Sequence, residues 1–252
     1  MEFPRINLPE SELRALADSE NLCRINTRAL SDEGIHALAS RYAFFQALLG
    51  DAGCDPAAVE KLTREHAKPE GMEMKDALVI RNEYKTFSRL CTVIRDFGPQ
   101  SATPAFICDI HRSLSRDLLV EARRGTYRDH IHGMKGLPDA IPPQEVKDAV
   151  DSLCREAETI ENTSLRAMFL SLNLVTIQPF SDVNKRTARM VEAAVLMSDG
   201  IAPTIGENHF DAVFARRTEG WFYERADYSQ YAAYVTNLRK DRRMKRNKDS
   251  AI

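Results

Sequence analysis

Chemistry concentrates in Ile177-Gln-Pro-Phe-Ser-Asp-Val-Asn-Lys-Arg-Thr-Ala-Arg-Met190. Pro179 ends one helical pattern, and Asp182 stands where it can cap the next. The free N–H groups of Val183, Asn184 and Lys185 then converge at a helix N-terminus, whose partial positive charge attracts anions. Arg186 and Arg189, three residues apart, share one face of the first turns and reach further phosphate oxygens. A rim carboxylate, Asp182, can hold Mg2+ that bridges those oxygens. These residue types suit a nucleotide polyphosphate. An ordinary capped helix with solvated Lys and Arg fits them equally well.

Apolar spacing predicts helices on both sides of this segment, over 164–177 and 183–198. Further helices are expected over 11–18, from Ser31 onward with Ser31 or Asp32 as cap, over 55–66, and over 72–97 up to Gly98-Pro99. The others span 101–121, 144–160, 207 to about 218, and Asp227 into the C-terminal residues. Between Gly125 and Pro143 the texture changes to three glycines and three prolines, with extended-type residues Tyr127, His130, Ile131 and His132. That stretch predicts a small exposed β-hairpin. The fold class is therefore all-α, a helical bundle with one hairpin.

Composition agrees. Gly and Pro together number 22 of 252 residues, where average use of about 12% gives roughly 30, so long helices are favoured over a loop-rich β protein. Apolar residues at 43% and charged residues at 29% exclude a disordered chain. The longest uncharged run, Ala167 to Ser181, is shorter than the roughly 20 residues a bilayer span needs. No secretory signal is visible at the N-terminus, and five cysteines without CxxC spacing suit a reducing compartment. A cytoplasmic protein without membrane contact is expected. The formal charge of −2 divides into a 237–249 stretch with seven basic and two acidic residues, net +5, and a remainder of −7. No aromatic residue interleaves with the basic charges, so nucleic acid is disfavoured as a partner.

Residues 178 to 189 resemble the motif of the Fic family, His-Pro-Phe-x-(Asp/Glu)-Gly-Asn-Gly-Arg-x-x-Arg, with Pro179, Phe180, Asp182, Asn184, Arg186 and Arg189 in register. Gly125-Thr-Tyr-Arg128, followed by a Pro-Pro pair, resembles the segment of that family's flap hairpin. The resemblance covers roughly residues 75 to 235, and it implies a Fic fold that moves AMP from ATP to a hydroxyl side chain of a target protein. Asp182 would then hold Mg2+ between the α- and β-phosphates. Asn184 with the N–H groups of Val183 and Lys185 would cradle the α-phosphate, and Arg186 and Arg189 would contact the β- and γ-phosphates. The flap around Tyr127, Arg128, His130 and His132, over 127–140, would hold the target by strand addition. A division into an N-terminal helical extension over 1–72, a Fic-like domain over 73–236 and a basic tail over 237–252 follows. The target protein is not specified, and homo-oligomerisation is left open.

Three departures bear on that reading. Gln178 occupies the slot of the proton-accepting histidine, and an amide accepts no proton at useful pH. Val183 and Lys185 replace two glycines. Asn184-Lys-Arg186 also resembles the Doc branch, which transfers phosphoryl rather than AMP, although Doc-like sequences lack a second arginine such as Arg189. The family's inhibitory motif has its nearest counterpart at His66-Ala-Lys-Pro-Glu70-Gly71, which would place Glu70 against Arg189. The expected activity is thus weak or altered AMP transfer. The alternatives are a catalytically inactive Fic fold acting by nucleotide or protein binding, and Doc-like phosphoryl transfer.

Overall fold

The structure, a computed structural model, describes residues 1–131 and 141–249. Ten α-helices lie among them: α1 Glu10–Leu22, α2 Asp32–Leu49, α3 Pro56–Thr63, α4 Met74–Phe97, α5 Pro104–Leu114, α6 Val146–Glu158, α7 Thr163–Ile177, α8 Asn184–Ser198, α9 His209–Arg225 and α10 Ser229–Asp249. Side-chain caps explain many of the starts. Ser31 Oγ accepts from Gly34 N, Asp55 Oδ1 from Ala58 N, Thr103 Oγ1 from Phe106 N, Asn162 Oδ1 from Leu165 N and Asn208 Oδ1 from Asp211 N.

The helices α7 and α8 form the centre. Both are buried on nearly every side; α7 is apolar nearly all round, whereas α8 opens with Lys185, Arg186 and Arg189 and also buries Glu192. They pack along each other, with α4 and α5 against α8, and α6, α9, α10 and α1 against α7. Helices α2 and α3 lie on α4, and α2 also meets α9. The short α7–α8 connection, residues 178–183, carries the chemistry-bearing segment to one end of this core.

The expected helix over 101–121 stops at Leu114. Asn82 Nδ2 donates to the carbonyls of Leu114 and Arg116, while Ser115 Oγ donates to His111 O. The last carbonyls thereby find partners, and Asp117 turns the chain at φ 61°. The basic stretch continues α10 to Asp249, and Arg239 within it is buried on Ser19 and Ser164.

The expected β-hairpin flap is corrected. Among the described residues there is no strand, and the β pairing there is an isolated antiparallel bridge between Arg24 and Ile201. Residues 125–131 run irregularly because their polar groups are taken by the α7–α8 connection, as when Arg128 N donates to Pro179 O at 2.9 Å. The remainder of the expected hairpin, 132–140 with His132, lies outside the described residues. No helix among the described residues is long and apolar enough to cross a membrane.

Candidate functional site

The α7–α8 connection is held in shape by three side chains. Helix α7 closes on Gln178 in the left-handed region, φ 49°, with its N–H on Leu174 O, and Pro179 prevents continuation. Asn184 then clamps the turn from the far side: its Oδ1 accepts from Phe180 N at 2.9 Å and its Nδ2 donates to Phe180 O at 2.8 Å. Phe180, fully buried, stacks on His111 with ring centres 3.8 Å apart and also meets Tyr127. Arg128 fastens the same turn to residues 130 and 141. Its guanidinium donates to the carbonyls of Gln178 at 2.7 Å, His130 at 2.8 Å and Ile141 at 2.6 Å.

His111 is neutral in this setting. Its Nδ1 accepts from Gly125 N at 2.9 Å, so Nε2 is the protonated nitrogen and donates to Asp182 O at 3.2 Å. Burial pulls its pKa down to about 4, against the opposing pull of the Asp182 carbonyl and carboxylate. Gly125 is required where it approaches: at φ 69°, a Cβ there would lie 2.7 Å from Cys108 O. Arg128→Ala leaves several buried carbonyls without donors, so a loss of roughly 3 kcal/mol or more in urea unfolding is expected. A loss below about 1 kcal/mol would show that the clamp is incidental.

The start of α8 differs from expectation in one respect. Val183, not Asp182, is the cap residue, and no side chain caps the helix; Asp182 Oδ1 instead accepts from Val183 N at 2.6 Å. Val183 sits at φ 65°, a region where a β-branched residue is strained by about 1–3 kcal/mol. A glycine would sit there without strain. The first-turn N–H groups of α8 are left facing outward from an uncapped end.

A cleft of about 490 Å3 opens over this end, between the start of α8, the end of α2, the start of α4 and the second half of α9. That volume lies within the range of small-molecule sites. Five cations line it (Lys75, Lys185, Arg186, Arg189 and Arg216) against Asp76, Asp182 and Glu219. Arg186 and Lys185 are half-buried and make no ion pair among the described residues. Arg189 is engaged: Nε donates to Glu219 Oε1 at 2.8 Å and Nη2 to Oε2 at 2.7 Å. Burial alone would lower its pKa, yet the adjoining Glu219 carboxylate holds it raised. Glu70 is exposed in a separate hollow beside Gly53 and Cys54, and Glu219 takes the partner expected for it.

The expected site residues thus divide. Asp182, Val183, Asn184, Lys185, Arg186 and Arg189 share the cleft wall. Gln178 does not line it; the residue is 0% exposed, and both polar atoms of its side chain are buried without a partner among the described residues. Tyr127 and Arg128 lie with the turn, packed on Phe180 and bonded to Gln178 O, and His130 pairs with Asp129 at 2.9 Å. The side chain of Asn184 is engaged by the Phe180 backbone, which leaves its N–H as the group toward a ligand. For a divalent ion, the second oxygen of Asp182 makes no bond among the described residues. No cluster of three or more metal-ligating side chains exists among them, so most ligands of Mg2+ would come from phosphate oxygens and water, as that ion favours.

Two contributors lie outside the motif. Glu219 comes from a helix far along the chain, where Glu219-Gly220 repeats the Glu-Gly pair of the inhibitory pattern sought at Glu70-Gly71. Glu83, fully buried on α4, faces Arg186 and Arg189. Its one sequence signal is an acidic residue on the apolar face formed by Ile80, Phe87, Leu90 and Ile94.

The bundle is a Fic fold. Its likeness extends to a Fic family protein from Desulfovibrio desulfuricans (TM-score 0.75, 15% identity, covering 100% of this chain and 78% of that one). Fic-1 from C. elegans matches with TM-score 0.70 and 18% identity over 93% of this chain and 70% of that one. IbpAFic2, in a complex with adenylylated Cdc42, matches with TM-score 0.60 and 13% identity, over 94% and 72%. In sequence, residues 101–196 match the model of the Fic/DOC family. No curated protein matches the chain.

Proposed function

We propose that this chain binds a magnesium nucleotide, ATP by preference, with its polyphosphate at the N-terminus of α8, and that as built it transfers AMP to a protein hydroxyl weakly. The observation that carries the reading is the cleft, where an uncapped helix end, Lys185, Arg186 and the edge of Arg189 meet on one wall. Asp182 would hold the ion, which supplies charge neutralisation between phosphates when bound. Arg186 would orient the β-phosphate, and Arg189 would reach the γ-phosphate once released from Glu219. The Fic fold and the family match of residues 101–196 support the same assignment, as does a neighbour whose complex contains an adenylylated protein.

A second reading, binding without transfer, is favoured by Gln178. It cannot accept a proton, and in this conformation its side chain points into the core rather than lining the cleft. Doc-like phosphoryl transfer has only the Asn184-Lys185-Arg186 sequence in its favour. One paired assay separates all three. With α-labelled ATP, slow labelling of protein is expected; with γ-labelled ATP, none. Label only from the γ position would establish phosphoryl transfer. No label from either, with calorimetric Mg-ATP binding intact, would leave binding alone, and no heat at all would sink the nucleotide reading.

A further inference from the structure

The carboxylate of Glu83 has no ordinary role in the core. It lies on the buried face of α4 with 1% exposure, and neither oxygen has a hydrogen-bond partner among the described residues. Its electrostatic partners are Arg186 and Arg189, which reach the cleft from the other side. From α2, Tyr42 faces it, and the Tyr42 hydroxyl likewise lacks a partner. Other charges on the elements packed against α4 point elsewhere. Glu60 of α3 binds His36 and Arg64, and His111 of α5 binds the Asp182 carbonyl. Arg41 of α2 pairs with Glu207, and Arg28 of the 27–29 turn lies beside Gly98. On α4 itself, Arg81 pairs with Asp117. On α8, Glu192 accepts from Tyr231.

Glu83 therefore depends on the two arginines for its charge. Burial pushes its carboxyl up to about 7, and Arg186 and Arg189 keep it from rising further. A phosphate that binds those guanidiniums brings negative charge within reach of the same carboxylate. It also weakens the positive field that kept Glu83 ionised. An isolated buried carboxylate is then costly, and a proton from solvent removes the cost.

We propose that Glu83 is a positioning residue of the anion cleft and its proton acceptor: a polyphosphate that engages Arg186 and Arg189 is bound together with a proton that settles on Glu83. The proposal rests on the nucleotide reading above and adds its coupling to pH. Affinity rises as pH falls toward 7, because the free protein then already carries part of the required proton. Above that, binding must draw the whole proton from solvent, so affinity declines.

The test is calorimetric titration of the full chain with Mg-ATP at pH 7.5, in two buffers of different ionisation enthalpy, for wild type and Glu83→Gln. Protonation of the ligand itself is common to both proteins and cancels in their difference. The expected result is net proton uptake by wild type that Glu83→Gln lacks while still binding. With it, the wild-type association constant falls about three- to tenfold between pH 7 and pH 8.5, and that of the variant stays nearly flat. Binding with equal proton uptake in both proteins overturns the inference and leaves the nucleotide reading standing. Absence of heat in wild type overturns both. If Glu83→Gln does not fold, the wild-type pH series decides: a three- to tenfold fall in association constant between pH 7 and pH 8.5, where Mg-ATP itself does not titrate, sustains the inference, and a flat profile overturns it.

Discussion

Gln178→His is expected to raise protein labelling from α-labelled ATP by about 10²- to 10⁴-fold over wild type, the usual worth of a positioned general base. The slot sits at the end of α7, on a turn already fixed by Arg128, Asn184 and the Phe180–His111 stack. An imidazole there, once turned from the buried position of Gln178 toward the cleft, would supply the proton acceptor that an amide cannot. Equal labelling by the two proteins, with Mg-ATP bound by both, would place the block elsewhere. Val183 and Lys185 are then the residues to change, since they put side chains where the family motif has glycine. Val183→Gly would further remove left-handed strain at the cap of α8, though at the loss of a buried isopropyl group.

The second large effect concerns Glu219. Removing its carboxylate by Glu219→Ala leaves Arg189 buried and uncompensated, for an expected loss of about 3–5 kcal/mol, or roughly 6–20 °C in Tm. The milder Glu219→Gln keeps one acceptor and should lose less. In both variants Mg-ATP is expected to restore more stability than in wild type, because phosphate then replaces the missing anion. Thermal unfolding with and without saturating Mg-ATP measures both quantities. A ligand-induced rise no larger than that of wild type would mean that Arg189 does not turn toward phosphate.

Much of the fold was legible because it rests on local rules. Ser31, Asp55 and the Gly98 stop lie where capping chemistry places them, and α7 and the second half of α8 follow from their dense apolar residues. The family motif likewise identified the cleft wall. What escaped depends on long-range partners. The stop at Leu114 is set by Asn82, more than 30 residues earlier, and the irregular path of 125–131 by carbonyls of the α7–α8 turn. Asn184 looked like a phosphate ligand by position, while the folded turn uses its amide internally. The Glu219–Arg189 pair joins residues 30 apart; Glu219-Gly220 carries the same Glu-Gly signal as Glu70-Gly71, and only the fold shows which of the two meets Arg189.

The packing of α1 against α10 has a consequence for how the chain is made. Arg239 reaches Ser19 across 220 residues, and Tyr228 reaches Pro4 across 224. Leu16 and Ser19, fully buried in the finished fold, lie on a helix that α7 covers in part and α10 covers in the main, so their burial is completed only when segments 220 residues apart meet. Until α10 has been made, α1 shows part of its apolar face to its surroundings. Closing that seam carries the loop-closure entropy of nearly the whole described chain.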